Sequence, residues 1–211
     1  MSKPLFIVFE GIDGCGKTKH TRRLFEWLTA RGRSVFMTAE PTESETGRQL
    51  RRALSGQEFR TPAEMAALFT LDRIGHNREI AAALAAGQDV ICDRYYYSSL
   101  AYQGALTDYD WVRHMNCDCP EIRRPDLCIF LDVPPATALE RISKREATRE
   151  IYEKEESLAL FRQTFLSIFD TLPDPVVKIN TADPADEVAA RVAAAVEPLL
   201  NCHPFEKETF L

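Results

Sequence analysis

The sequence has no apolar run near the ~20 residues needed to span a bilayer, and its start, MSKPLFIVFEG, passes into a glycine-rich motif with no cleavage-like segment. The expectation is a cytoplasmic protein with no membrane partner. Surplus positive charge is missing too: 26 Lys and Arg stand against 32 Asp and Glu, a formal net charge of −6. That balance argues against a broad nucleic-acid or anionic-membrane surface, which needs clustered cations in excess, but it allows a small, focused anion site. Repeats, linkers and low-complexity tracts are absent. The 211 residues therefore read as a single domain over 1–200, with a short tail over 201–211. The six cysteines form no disulfide or zinc framework. Cys15 lies in the glycine-rich motif, Cys92 and Cys128 in apolar runs and Cys202 in the tail, while Cys117-x-Cys119, with His114 nearby, has no second half-site.

What the chain does have is an alternation of short apolar runs with longer helical patterns, the mark of an α/β domain with a parallel sheet. Five strands are expected, at Leu5 to Phe9, Ser34 to Met37, Asp89 to Cys92, Leu127 to Leu131 and Val176 to Ile179. Helices are expected over Lys17 to Ala30, from a Ser44 cap toward Leu54, from the capping box Thr61-Pro62-Ala63-Glu64 to Gly87, over Ala136 to about Arg149, and over Pro184 to Leu200.

The stretch Gly11 to Thr18, GIDGCGKT, fits G-x-x-x-x-G-K-[ST] with a strand before it and a helix after it. Gly11, Gly14 and Gly16 clear side chains from a backbone that must fold around a polyphosphate, so that amide hydrogens and a helix N-terminus point at the anion. Ile12, Asp13 and Cys15 complete this ATP-binding loop, Lys17 would reach the β- and γ-phosphates, and Thr18 Oγ would ligate Mg²⁺. The plainer reading is a glycine-rich turn with a chance lysine. A P-loop implies ATP or GTP; it does not name a reaction.

Further chemistry sits at strand ends. Asp93 closes the third apolar run, where a carboxylate can hold Mg²⁺ or simply cap the next helix. Arg94 beside it would bring a planar guanidinium to the same mouth, suited to bidentate pairing with phosphate. Phe69 and Arg73 lie four apart on the long helix, either to hold a base by stacking and hydrogen bonding or to serve as core packing with a snorkelling arginine. The tail of the fourth helix, RISKREATREIYEKEE, carries Arg141, Lys144, Arg145 and Arg149. Its periodicity favours a solvated face, with a mobile phosphate lid over about 142–154 as the sharper alternative.

FEGIDGCGKT, the EPT turn, LFTLDR, CDRYYYSSLAYQG, PDLCIFLDV and the charged segment through YEKEE stand together in this order and spacing. The combination resembles the thymidylate kinase family over nearly all of residues 3 to 200, and DRYxxSSxAYQG is its most specific element. The resemblance implies a P-loop nucleoside monophosphate kinase that phosphorylates dTMP to dTDP with Mg-ATP, using Lys17, Arg94, Arg145 and Arg149 as its catalytic cations. By position it puts Phe69 under thymine, Arg73 and Gln103 at the base edge, and Ser99 on the other side of the base. Tyr102 falls against C2′ of the sugar, Arg51 and Arg94 on the acceptor phosphate, and Asp13 and Glu40 along the sugar and phosphate side. A homodimer that includes the Ala-rich helix is implied as well.

Two departures stand out. Many relatives have Arg before Glu-Pro, where this chain has Ala39, so one phosphate contact is missing or comes from Arg48 or Arg52. Some relatives carry an arginine inside the P-loop, where this chain has Gly14, so the catalytic charge must come from the lid. The absence of a His or Cys nucleophile is consistent with phosphoryl transfer. A phosphate monoester has its second pKa near ~6, so it arrives ionised and needs no general base. The rival readings are a kinase for another nucleotide or nucleoside, a GTPase switch (disfavoured by the lack of N-K-x-D) and a P-loop binder without turnover.

Overall fold

The computed structural model describes residues 3–144, 152 and 154–201. Its five strands are β1 (Phe6–Glu10), β2 (Val35–Ala39), β3 (Asp89–Asp93), β4 (Leu127–Asp132) and β5 (Val176–Asn180). They pair in parallel in the order β2-β3-β1-β4-β5. The interior strands β1, β3 and β4 are the most apolar runs and are nearly wholly buried, whereas the edge strands β2 and β5 alternate with exposed positions. That is the burial expected of a parallel sheet covered by helices on both faces. Each fully buried Phe of β1 and β4 contributes roughly 1.5–3 kcal/mol.

Eight helices are described: α1 (Lys17–Thr29), α2 (Glu45–Leu54), α3 (Pro62–Ala85), α4 (Tyr96–Leu106), α5 (Tyr109–Cys117), α6 (Pro135–Ser143), α7 (Glu155–Thr171) and α8 (Ala185–Asn201). α1 packs with α8, while α3, α5 and α7 pack around α4. The N-termini of α2 and α3 follow their sequence signals. Ser44 Oγ accepts from Gly47 N–H, and Thr61 and Glu64 form a reciprocal capping box.

The five expected strands are all present, and the structure extends four of them beyond the last apolar residue. Phe9 pairs with Asp93 and Glu10 with Phe130, so the ladder continues through the carboxylates that an apolar-run reading stops short of. Three helices were not among the expected ones. α4 is buried on nearly every side among α3, α5 and α7, its Ser98, Ser99 and Gln103 included, so it carries no amphipathic period. α5 and α7 were also missed; Phe161, Phe165 and Phe169 of α7 are the inward positions. The helix expected over 136–149 runs as α6 to Ser143; its remainder, with Arg145, Arg149 and Glu150, lies outside the described residues.

Candidate active site

The P-loop leaves the carboxyl end of β1, where neighbours β3 and β4 lead to opposite edges of the sheet, the crevice at which open α/β sheets collect ligands. A cavity of about 690 Å³ opens there. It is lined by Gly16, Lys17 and Thr18 of the P-loop and the start of α1, by Phe69 and Arg73 of α3, by Gln103 of α4 and by Arg94.

In the P-loop, Gly16 is the N-cap of α1 and offers no side-chain cap, so the first amides of the helix are left for an anion. Lys17 Nζ donates to the carbonyls of Gly11 (2.8 Å) and Ile12 (3.3 Å). Ile12 and Cys15 are buried with their side chains in the core cluster, so their share in the loop is backbone. Gly14 has a φ of 80°, and a Cβ there would lie 2.4 Å from the carbonyl oxygen of Ala138 on α6. No arginine fits at position 14 without moving α6, which accounts physically for that departure.

Two acids end strands beside the loop, and the structure distinguishes them. Asp132 is held bidentately by Arg162 of α7, at 2.6 and 2.8 Å. Asp93 instead accepts from Thr18 Oγ at 3.3 Å and lines the cavity. The capping alternative fails, since the N-cap of α4 is Tyr95. A hydroxyl and a carboxylate side by side are the oxygen donors a hard cation takes, so the pair fits Mg²⁺.

Arg94 has a φ of 70°. It donates from Nη1 to Ser98 Oγ (3.0 Å), pairs through Nη2 with Asp13, and lies 5.3 Å over the Tyr102 ring. Beneath it, Glu10 is fully buried. Burial pushes the Glu10 carboxyl up to about 7, against Arg94, Ser98, Tyr95 and Lys17, which all favour its charged form.

Arg73 is 1 % exposed and held on three sides. Nε and Nη2 donate to Glu40 Oε2 (2.8 and 2.6 Å), and Nη1 donates to Ser99 Oγ (3.2 Å) and to Asn116 Oδ1. His76 Nδ1 lies 3.0 Å from the other Glu40 oxygen. Four of the five guanidinium hydrogens are thereby engaged. One Nη2–H remains for a ligand among the described residues, and the Gln103 amide at the same wall makes no side-chain hydrogen bond among them. Ser99 is buried behind Arg73, so it touches Arg73 and not the cavity. Tyr102 stacks on Phe161 (4.2 Å between centroids, 23°), and its hydroxyl makes no geometrically good hydrogen bond among the described residues. Arg51 donates to the carbonyls of Thr42 and Pro41, both at 2.6 Å, and lines the cavity. Arg48 and Arg52 do not line it: they pair with Glu45 and Glu58. Neither replaces the cation that Ala39 omits.

Several residues of this site were not singled out in the sequence. Glu10 and Ser98 lie inside the quoted motifs, FEGIDGCGKT and DRYxxSSxAYQG, and His76 and Asn116 outside them; none was assigned a role, because each acts by holding another side chain. Arg141 does line the cavity, and donates to the carbonyls of Gly14 (3.4 Å) and Thr181 (2.7 Å), although its surroundings in sequence read as a mixed-charge helix face.

A P-loop on the central strand of a parallel sheet, opening on an arginine-lined cavity, defines a phosphotransferase of the P-loop class. The thymidylate kinase family model matches residues 9–192. The chain is 38 % identical over 200 residues to a probable thymidylate kinase of Pyrococcus horikoshii, covering 91 % of this chain and 95 % of that one. It is 40 % identical over 197 residues to a thymidylate kinase of Akkermansia muciniphila, covering 92 % of each. The chain belongs to the thymidylate kinase family.

Proposed function

We propose that this chain transfers the γ-phosphoryl group of ATP to dTMP, giving dTDP and ADP. The observation that carries the reading is that one cavity is lined together by Lys17 of the P-loop, by Arg94 and by Phe69, Arg73 and Gln103. The edge of thymine explains the last three best. One donor from Arg73 suits a carbonyl, the Gln103 amide can accept from the adjacent ring N–H, and Phe69 offers a face for stacking. Cytosine would present an amino group to the Arg73 donor, and the pair would repel. Tyr102, backed by Phe161, leaves little room at the sugar and so favours deoxyribose.

Thr18 and Asp93 would hold Mg²⁺, which when bound supplies charge neutralisation at the transferred group. Lys17 and the amides at the α1 N-terminus hold the donor phosphates. Arg94 and Arg51 hold the acceptor phosphate, which arrives ionised and attacks without a base. Arg145 and Arg149, beyond the described residues, are the lid cations in this reading.

ATP consumption against a panel of nucleoside monophosphates tests it. Release of ADP should depend on dTMP, with dCMP and ribonucleotides far behind; a folded protein that releases no ADP with dTMP would end the proposal. A homodimer through α3 is part of the same reading, because Ala67, Gly75 and Ala82 are small and exposed along that helix, with the apolar Leu71 exposed among them.

A further inference from the structure

Arg94 is the only described residue other than glycine with a positive φ, and both peptide N–H groups that flank its kink are fixed to β1. Its own N–H donates to Phe9 O at 2.9 Å, and that of Tyr95 donates to Glu10 Oε1 at 2.8 Å. The same carboxylate accepts the Ser98 N–H at 3.1 Å and, through Oε2, the Ser98 hydroxyl at 2.7 Å. Ser98 Oγ in turn accepts from Arg94 Nη1 at 3.0 Å. Tyr95, the N-cap of α4, supplies no side-chain cap, so a carboxylate from the neighbouring strand caps the helix in its place. Glu10 thus grips the arginine twice, once through the backbone after it and once through a hydroxyl beneath its guanidinium.

We propose that Glu10 is the positioning residue for the acceptor phosphate, holding Arg94 in the pose that meets it through Tyr95 N–H and Ser98. The inference rests on the dTMP reading of the site and adds the residue that orients its central cation. A left-handed arginine is strained, by of the order of 1–3 kcal/mol, and keeps that pose only while its surroundings over-determine it. Glu10→Gln retains the shape and one oxygen, but its Nε2 donates to Ser98 Oγ where the carboxylate accepted. The Ser98 hydroxyl then loses the acceptor that fixes its proton, and the bridge from Glu10 to Arg94 is no longer anchored.

The test compares wild type with Glu10→Gln at pH 8 by calorimetric binding of dTMP and of thymidine, which lacks the phosphate, together with kcat and KM. The variant should lose about ten- to a hundredfold in dTMP affinity or turnover, the scale of one charge-assisted hydrogen bond, while thymidine affinity is unchanged. Equal losses for dTMP and thymidine would make Glu10 a helix cap and nothing more, and unchanged values for both would overturn its role outright. Should Glu10→Gln not fold, Ser98→Ala removes the hydroxyl bridge alone and should show the same phosphate-selective loss; a wild-type phenotype there overturns the relay. Wild-type protein that fails to phosphorylate dTMP refutes the functional reading and this inference with it. Normal wild-type turnover with an indifferent variant refutes only the inference.

Discussion

Lys17 rests on two backbone carbonyls, Gly11 O and Ile12 O, where a structural lysine would rest on a carboxylate. Removing it breaks no ion pair among the described residues, so Lys17→Ala should melt close to wild type while ADP release falls by ~10²–10³-fold, the cost of losing one preorganised charge at a transferring group. A large fall in melting temperature with residual turnover would reverse that assignment. Two buried groups set a second expectation. Burial, with help from Arg23, Lys19 and Arg141, lowers His20 to about 4, so between pH 4 and 6.5 the unfolded chain binds a proton that the folded chain refuses. That contribution to stability is lost as pH falls. Glu10, raised to about 7, has the opposite sign: the folded chain keeps a proton between pH 4.5 and 7 that the unfolded chain releases, and stability is lost as pH rises. The two oppose each other between pH 4.5 and 6.5. In Glu10→Gln the His20 slope stands alone, so denaturant stability should climb more steeply with pH than in wild type, by up to about 1.4 kcal/mol per unit. Equal slopes would show that Glu10 does not titrate in that window.

The acceptor wall depends on how closely α2 approaches the turn before it. A Cβ on Gly47 would lie 1.9 Å from Thr42 O, the same carbonyl that Arg51 of α2 holds at 2.6 Å. Asp72 of α3 clamps the other side of this turn through Thr42 N–H, Thr42 Oγ and Ser44 Oγ. Only glycine lets α2 and α3 share the turn, so Gly47→Ala should push α2 outward with Arg51 on it. The expected result is weaker dTMP binding with ATP affinity retained, read by titrating each ligand separately. A change in both affinities would mean that the α2 turn supports the P-loop as well.

Across the whole molecule, a net charge of −6 coexists with a cavity lined by Lys17, Lys19, Arg51, Arg73, Arg94 and Arg141. The cations are concentrated where phosphates bind, which is why bulk charge argues against nucleic acid and not against nucleotides. Outside the cavity, the exposed face of α3 sets the assembly prediction. Leu71 is 58 % exposed, on a helix whose opposite side is buried. Sedimentation of the wild type should give about twice the 23.9 kDa of the chain, and Leu71→Arg, which removes nothing from the core, should give the monomer. A wild type that sediments as a monomer at assay concentration would refute the α3 dimer.

By itself the sequence determined what local pattern can encode: five strands from apolar runs, helix starts from capping residues, and a phosphate loop whose glycines and lysine lie within eight positions of one another. Its reading of Asp93 and Arg94 as groups at a common mouth also came from locality, since one ends β3 and the other follows it directly. Tertiary structure alone decided which of two strand-end acids faces the loop, because Asp132 is claimed by Arg162 thirty positions away. It also decided that Asn116 holds Arg73 across 43 positions and that Glu10 reaches Ser98 across 88. The last depends on strand order, which places β3 beside β1, and the one before it on the packing of α3 with α5. Hydrophobic periodicity records which face of an element is buried and carries no information on which neighbour buries it.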